Sequence, residues 1–202
     1  GEFETTPERP SLATRVTTLR DRFARHTAHT DREVAGVAAL ADALLDRVPD
    51  TREQTLVHGD YTLANLVFTS GTPPSVTAVL DWERAGLGDP LVDLGYALAF
   101  WFETDTERCG VPPSVLPGFT VREGFPDREA LRSRYEERTG RQFHHDRFYR
   151  ALALFETAVT FEGYYRRHLA HASARPVFAE LGAAVPELVD RARGVLNGQE
   201  PL

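Results

Sequence analysis

The sequence holds 202 residues, of which 42% are hydrophobic, and carries a net charge of −7. That length suits one large domain or one lobe of a larger one, and that apolar share supplies a sizeable core, which excludes wholesale disorder. An acidic chain is a poor match for a phosphate backbone, so nucleic-acid binding is disfavoured. No apolar run approaches the roughly 20 residues of a membrane span, the longest being residues 96–102.

Cys109 is the one cysteine, so the sequence predicts no internal disulfide. With no signal peptide visible, the expected compartment is the cytoplasm. Methionine is absent, and all 23 basic residues are arginine.

In chain order, residues 1–9 are polar and read as a frayed, exogenous or cleavage-derived tail. Pro10 is placed in the first turn of a helix carrying Leu12, Val16, Leu19 and Phe23. Thr30 with Glu33 has the form of a capping box, which predicts a second helix through Val34, Val37, Leu40, Leu44 and Leu45 to about Val48. Leu56-Val57 is a short apolar run ending in His58-Gly59-Asp60. Residues 66–69 and 76–80 read as a small β-hairpin about the turn-forming stretch Thr69 to Pro74. Asp89-Pro90 predicts an N-cap and first turn for a helix through Leu91, Leu94, Leu98, Trp101 and Phe102. Residues 109–124 form a loop, and Asp127 caps a helix ended by Gly140. The longest helix is expected from about His145 to His168, with two apolar stripes that imply burial on most sides. A last helix over about 176–196 is expected to break at Pro186. The fold class is therefore α+β, predominantly helical, with one small hairpin.

The chemistry-bearing residues flank that hairpin. Phosphoryl transfer needs a carboxylate to orient and deprotonate the attacking hydroxyl, and hard oxygen ligands for the Mg²⁺ that bridges the phosphate oxygens. An Asp followed five residues later by an Asn supplies the base and one ligand; an Asp ending the next hairpin supplies the other. Asp60, Asn65 and Asp81 have that spacing, in a catalytic loop at 58–65 and a metal-binding segment at 80–83.

His58-Gly59-Asp60-Tyr61 with Asn65, then Leu80-Asp81-Trp82-Glu83, Leu87-Gly88-Asp89-Pro90 and Asp93-Leu94-Gly95-Tyr96, resemble the aminoglycoside phosphotransferase and choline-kinase-like superfamily. Within it, the chain is similar to the branch of the kinase-like domain fused to acyl-CoA dehydrogenases in animals. Tyr135 to Gly140 and Phe155 to Arg167 share that likeness. The resemblance implies the C-terminal lobe of a protein-kinase-like fold over residues 10–198. It makes Asp60 the catalytic base, gives Asn65 and Asp81 to Mg²⁺, and makes ATP the co-substrate. His58 and Asp93 would brace the loop through backbone hydrogen bonds, and a small-molecule hydroxyl would be the acceptor.

The family holds ATP phosphates with a glycine-rich loop and a lysine on an N-terminal lobe. This sequence has no lysine and no β-rich segment before residue 56, so that lobe is expected to be missing and the chain alone to be inactive. The alternative reading is a non-catalytic binding or scaffolding module. A phosphohydrolase built on His58, Asp60 and Asp81 would want more histidine ligands than the sequence offers. Glu156 and Glu162 are candidates for lining a substrate cleft, with an ion-pair role as the alternative. His144, His145, His168 and His171 read as solvated helix-end residues, and Trp82, Trp101 and Phe102 as core.

Overall fold

The computed structural model describes residues 10–51, 53–173 and 175–202; the expectation for residues 1–9 lies outside them. Helix α1 (Leu12–Thr30) is capped by Ser11, whose hydroxyl accepts from the Thr14 N–H at 3.2 Å, so Pro10 lies outside the first turn. Helix α2 (Val37–Leu45) starts behind Gly36, not at Thr30. The Thr30-Glu33 box fails because a tertiary partner outbids the local one. Thr30 stays in α1 and donates its hydroxyl to Glu162 at 2.8 Å.

Four short strands follow. β1 (Thr55–Val57) pairs antiparallel with β4 (Gly86–Gly88), Leu56 facing Leu87. β2 (Leu66–Phe68) pairs antiparallel with β3 (Val76–Val79), Leu66 facing Val79, with an irregularity at Phe68. The hairpin matches the sequence expectation; β4 does not appear in it, because glycine on both sides of Leu87 reads as a turn.

Helix α3 (Leu91–Ala99) stops short of Trp101 and Phe102. Helix α4 (Arg128–Thr139) runs from an Asp127 cap to Gly140. Helix α5 (Asp146–Leu169) packs against α6 (Val177–Leu196), α1 and α3, and forms the axis of the molecule. Its two stripes bury Phe148, Leu152, Phe155 and Val159 together with Ala151, Leu154, Ala158 and Phe161. Helix α6 continues through Pro186. A proline inside a helix costs about 3 kcal/mol. Burial of Phe178, Leu181, Val185, Leu188, Val189, Val195 and Leu196 outweighs it, at roughly 1.5–3 kcal/mol per large side chain.

One contact fixes α3 against α5. A Cβ on Gly95 would lie 2.4 Å from the Tyr149 Cβ and 2.9 Å from its carbonyl carbon, so the helices approach over a bare backbone. The predominantly helical α+β architecture expected from the sequence is the one observed.

Candidate active site

Strand β1 delivers the chain to His58, and α3 receives it. Gly59 adopts φ +83°, a left-handed conformation natural to glycine. The turn points two successive amides at Asp93 in the first turn of α3: Oδ2 accepts from the His58 N–H at 2.5 Å and Oδ1 from the Gly59 N–H at 2.7 Å. Asp89 holds α3 in turn. Its Oδ1 accepts from the Leu91 N–H at 2.9 Å, and its Oδ2 accepts the Tyr149 hydroxyl at 2.5 Å. Burial and the bond to Asp89 push the Tyr149 phenol well above its ordinary value, so it remains a donor.

The buried His58 ring ties two segments together. Nδ1 accepts from the Asp60 N–H at 3.2 Å, while Nε2 lies 2.7 Å from the Leu80 carbonyl oxygen. A carbonyl only accepts, so the tautomer that satisfies both contacts is neutral with its proton on Nε2. Leu80 returns the tie by donating its N–H to the Asn65 backbone oxygen at 2.8 Å. The Asn65 side chain spends its Nδ2 on the Asp60 carbonyl at 2.8 Å, which leaves Oδ1 as its remaining polar atom. Asp81 follows Leu80 in the left-handed region, φ 65°, a conformation that Asp tolerates better than most residues. The segments bearing Asp60, Asn65 and Asp81 are thus stitched through His58 and Leu80.

Trp82 lies beside this stitch. Its ring stands 4.8 Å from that of His58 and its Nε1–H donates to the Val79 oxygen at 2.8 Å, yet it is 47% exposed, not core. Phe102 is buried as expected. Among the described residues, no group of three His, Cys, Asp or Glu is disposed to hold a metal ion.

Two side chains to which the sequence analysis gave no role feel the charge of Asp60, Arg84 and Tyr96. Burial opposes charge on Arg84, but Glu156, Tyr96 and Asp60 outweigh it and raise its guanidinium above the ordinary value. The Tyr96 phenol is pushed up by burial and by Asp60, with its hydroxyl 3.5 Å from that of Thr157. The signal was present: Tyr96 lies three residues after Asp93 and shares its face of α3, and Arg84 follows Asp81 by three in the same tight turn. Each α5 carboxylate has an arginine. Glu156 takes a two-pronged bond from Arg15 with Arg84 3.8 Å away, and Glu162 is held by Arg32 and Thr30.

A cavity of about 340 Å³ opens elsewhere, between the start of α1, residues 48–51 and 53–54, and Asp89, and none of Asp60, Asn65 and Asp81 lines it.

The phosphotransferase enzyme family matches residues 3–149. Acyl-CoA dehydrogenase family member 11 of Mus musculus is 34% identical over 148 residues, covering 72% of this chain and 18% of that protein. The Gallus gallus protein of the same name is 35% identical over 145 residues, 70% and 18%. A solved Ralstonia eutropha structure ascribed to the aminoglycoside phosphotransferases superposes with a TM-score of 0.73 at 26% identity, covering 94% of this chain and 56% of that one. The chain therefore spans under a fifth of the length of these curated relatives.

Proposed function

Because the chain belongs to the phosphotransferase enzyme family, we propose that residues 10–198 are the C-terminal lobe of a kinase that moves the γ-phosphoryl group of ATP to a hydroxyl of a small molecule. The observation that carries this reading is the stitch of Asp60, Asn65 and Asp81 through His58 and Leu80. Asp60 is the base: its carboxylate orients the acceptor hydroxyl and takes its proton as the oxygen attacks phosphorus and the bond to ADP breaks. A positioned base is worth about 100- to 10,000-fold in rate. Asn65 and Asp81 would hold Mg²⁺. The donor set fits, since Asn65 has its amino group engaged and its carbonyl oxygen remaining, and Asp81 supplies a carboxylate. When bound, the ion offsets negative charge on the phosphoryl oxygens. His58 and Asp93 keep the loop backbone in place for that geometry.

An N-terminal lobe would complete the ATP site. Two observations favour it: large apolar side chains are exposed in and around the hairpin, at Leu56, Val67, Phe68, Val76, Leu80 and Trp82, and the Ralstonia structure extends well beyond the region shared with this chain. The chain alone would be inactive, lacking a lysine for the phosphates.

The test is ADP release by the full-length protein across a panel of hydroxyl compounds with Mg²⁺ and ATP. Turnover with at least one acceptor, reduced at least about 100-fold by Asp60→Asn with folding unchanged, supports the reading. Near-normal turnover by that variant overturns the base assignment, and nucleotide binding with no acceptor turned over would favour the non-catalytic module.

A further inference from the structure

Three arginines with almost wholly buried side chains converge on one carboxylate near residue 202. Glu200 Oε1 accepts from Arg128 Nη1 at 2.8 Å, from Arg191 Nη2 at 2.9 Å and from Arg150 Nη2, while Oε2 accepts from Arg191 Nε at 2.8 Å. Arg150 Nη1 donates to the backbone oxygens of Glu200 at 3.3 Å and Pro201 at 3.2 Å. The segment that delivers Glu200 folds back from the end of α6, with Gly198 N–H on the Val195 oxygen and Gln199 N–H on the Gly194 oxygen. Leu202 then packs against the core.

Other acids serve the neighbouring arginines. Glu103 and Glu107 pair with Arg128 at 3.0 and 3.2 Å, and Glu107 reaches Arg191 at 3.8 Å. Arg150 has only one other carboxylate among the described residues, Asp146 at 3.9 Å. It is the least exposed of the three, and burial pushes its guanidinium below the ordinary value.

Arg150 adjoins Tyr149, whose hydroxyl meets Asp89 on the α3 side. Helix α5 begins behind His145, left-handed at φ 58°, and has no side-chain cap. Its first turns are therefore held between the two grips, Tyr149 on Asp89 and Arg150 on Glu200. Asp89 also accepts from the Leu91 N–H at the start of α3, and Asp93 in its first turn accepts the His58 and Gly59 amides.

The geometry points to Glu200 as a positioning residue for the 58–60 loop: its carboxylate locks the first turns of α5, and Tyr149, Asp89 and α3 transmit that lock to the loop backbone. A buried charge that loses its partner is costly. Without Glu200, an outward swing of Arg150 would pull on the start of α5, which has no side-chain cap, and draw Tyr149 off Asp89. This inference rests on the proposed function only in counting the loop as catalytic. Amide exchange reads the coupling without turnover, so either can fail alone.

The experiment is native-state hydrogen exchange of this chain, followed at the His58 and Gly59 amides and at Leu19 and Phe23 in α1 as controls. Glu200→Gln is expected to speed exchange of the loop amides by about tenfold or more and the α1 amides by no more than about threefold, the pattern of local rather than global opening. Glu200→Asp should fall between. Tyr149→Phe, which cuts the same path without stranding the buried Arg150, should also speed the loop amides by about tenfold, and adding Glu200→Gln to it should speed them no further. Equal acceleration of loop and α1 amides, or effects of the two substitutions that multiply, overturns the inference. Should Glu200→Gln not fold, the two remaining single variants decide it: unchanged loop amides in Tyr149→Phe and Glu200→Asp overturn the inference as well.

Discussion

The hairpin face and the α5–α6 base of this molecule bury their apolar residues to opposite degrees. Of nine large hydrophobic side chains that are exposed among the described residues, seven lie between Leu56 and Trp82. In α5, every residue from Phe148 to Val159 is buried, and its inward-facing charges at Arg150 and Glu156 meet opposite charges. A two-stranded ribbon is marginal in water by itself, and a concentration of exposed large apolar side chains in one stretch is what a contact surface would present. The base is built to stand by itself; the hairpin is built to be covered, and the residues proposed for chemistry sit on the boundary between them.

The sharpest way to break that contrast is to wedge the base apart where it meets the site. Gly95→Ala puts a methyl group on Tyr149, against both its Cβ and its backbone. Backbone cannot move aside as a flexible side chain can, so the cost should reach about 3 kcal/mol or more. Urea denaturation checks it: a midpoint within error of the parent would show that α3 and α5 are not locked together. Asp93→Ala should cost less, about 1–3 kcal/mol for two amides left without an acceptor, yet remove nearly all transfer in the full-length protein. A variant that melts like the parent and keeps its turnover would detach the loop from the base.

Much of this arrangement was legible in the sequence, and its failures share a cause. The hairpin, the Asp127 cap and the two-sided burial of α5 follow from local pattern, and local pattern decided them. The Thr30-Glu33 box failed because Glu162, distant in sequence, claims the Thr30 hydroxyl. The break at Pro186 failed because buried neighbours on both sides hold α6 together. Trp82 is exposed because a ring fixed by the Val79 oxygen and by His58 needs no core to order it. At the site, spacing singled out Asp60, Asn65 and Asp81 in sequence, and the ties through His58 and Leu80 that join their segments are tertiary. Arg84 and Tyr96 carried a spacing signal, three residues after Asp81 and Asp93, whereas Glu200 behind Arg150 is a product of tertiary packing with no local signature.

The charged cluster of the base gives a smaller effect that pH can dissect. Burial works to raise the Glu200 carboxyl, but its bonds to Arg191 and the charges of Arg191, Arg150 and Arg128 hold it below its ordinary value of 4.5. A carboxyl lowered on folding contributes stability that is complete above its unfolded value and is lost as pH falls through its folded value. Glu200→Gln should therefore melt below the parent at neutral pH, and the two melting temperatures should converge as pH drops below 4.5. A gap that stays constant down to acid pH would mean that Glu200 acts by shape and not by charge.

The smallest effect is the most telling for the hairpin. Phe68 is 44% exposed at the end of β2, beside the strand irregularity. Replacing it with serine removes an aromatic ring that contributes little to this chain's own packing, so the stability change should stay within about 0.5 kcal/mol. Phe155→Ala in the base, where the ring is fully buried, should cost about 3–5 kcal/mol. If the exposed ring exists to be covered, the same Phe68→Ser change should matter once the remainder of the polypeptide is present, lowering the melting temperature of the full-length protein more than that of this chain. Equal effects in both would mean that nothing seats on the hairpin. A large effect in this chain alone would mean that the hairpin, like the base, is held from within.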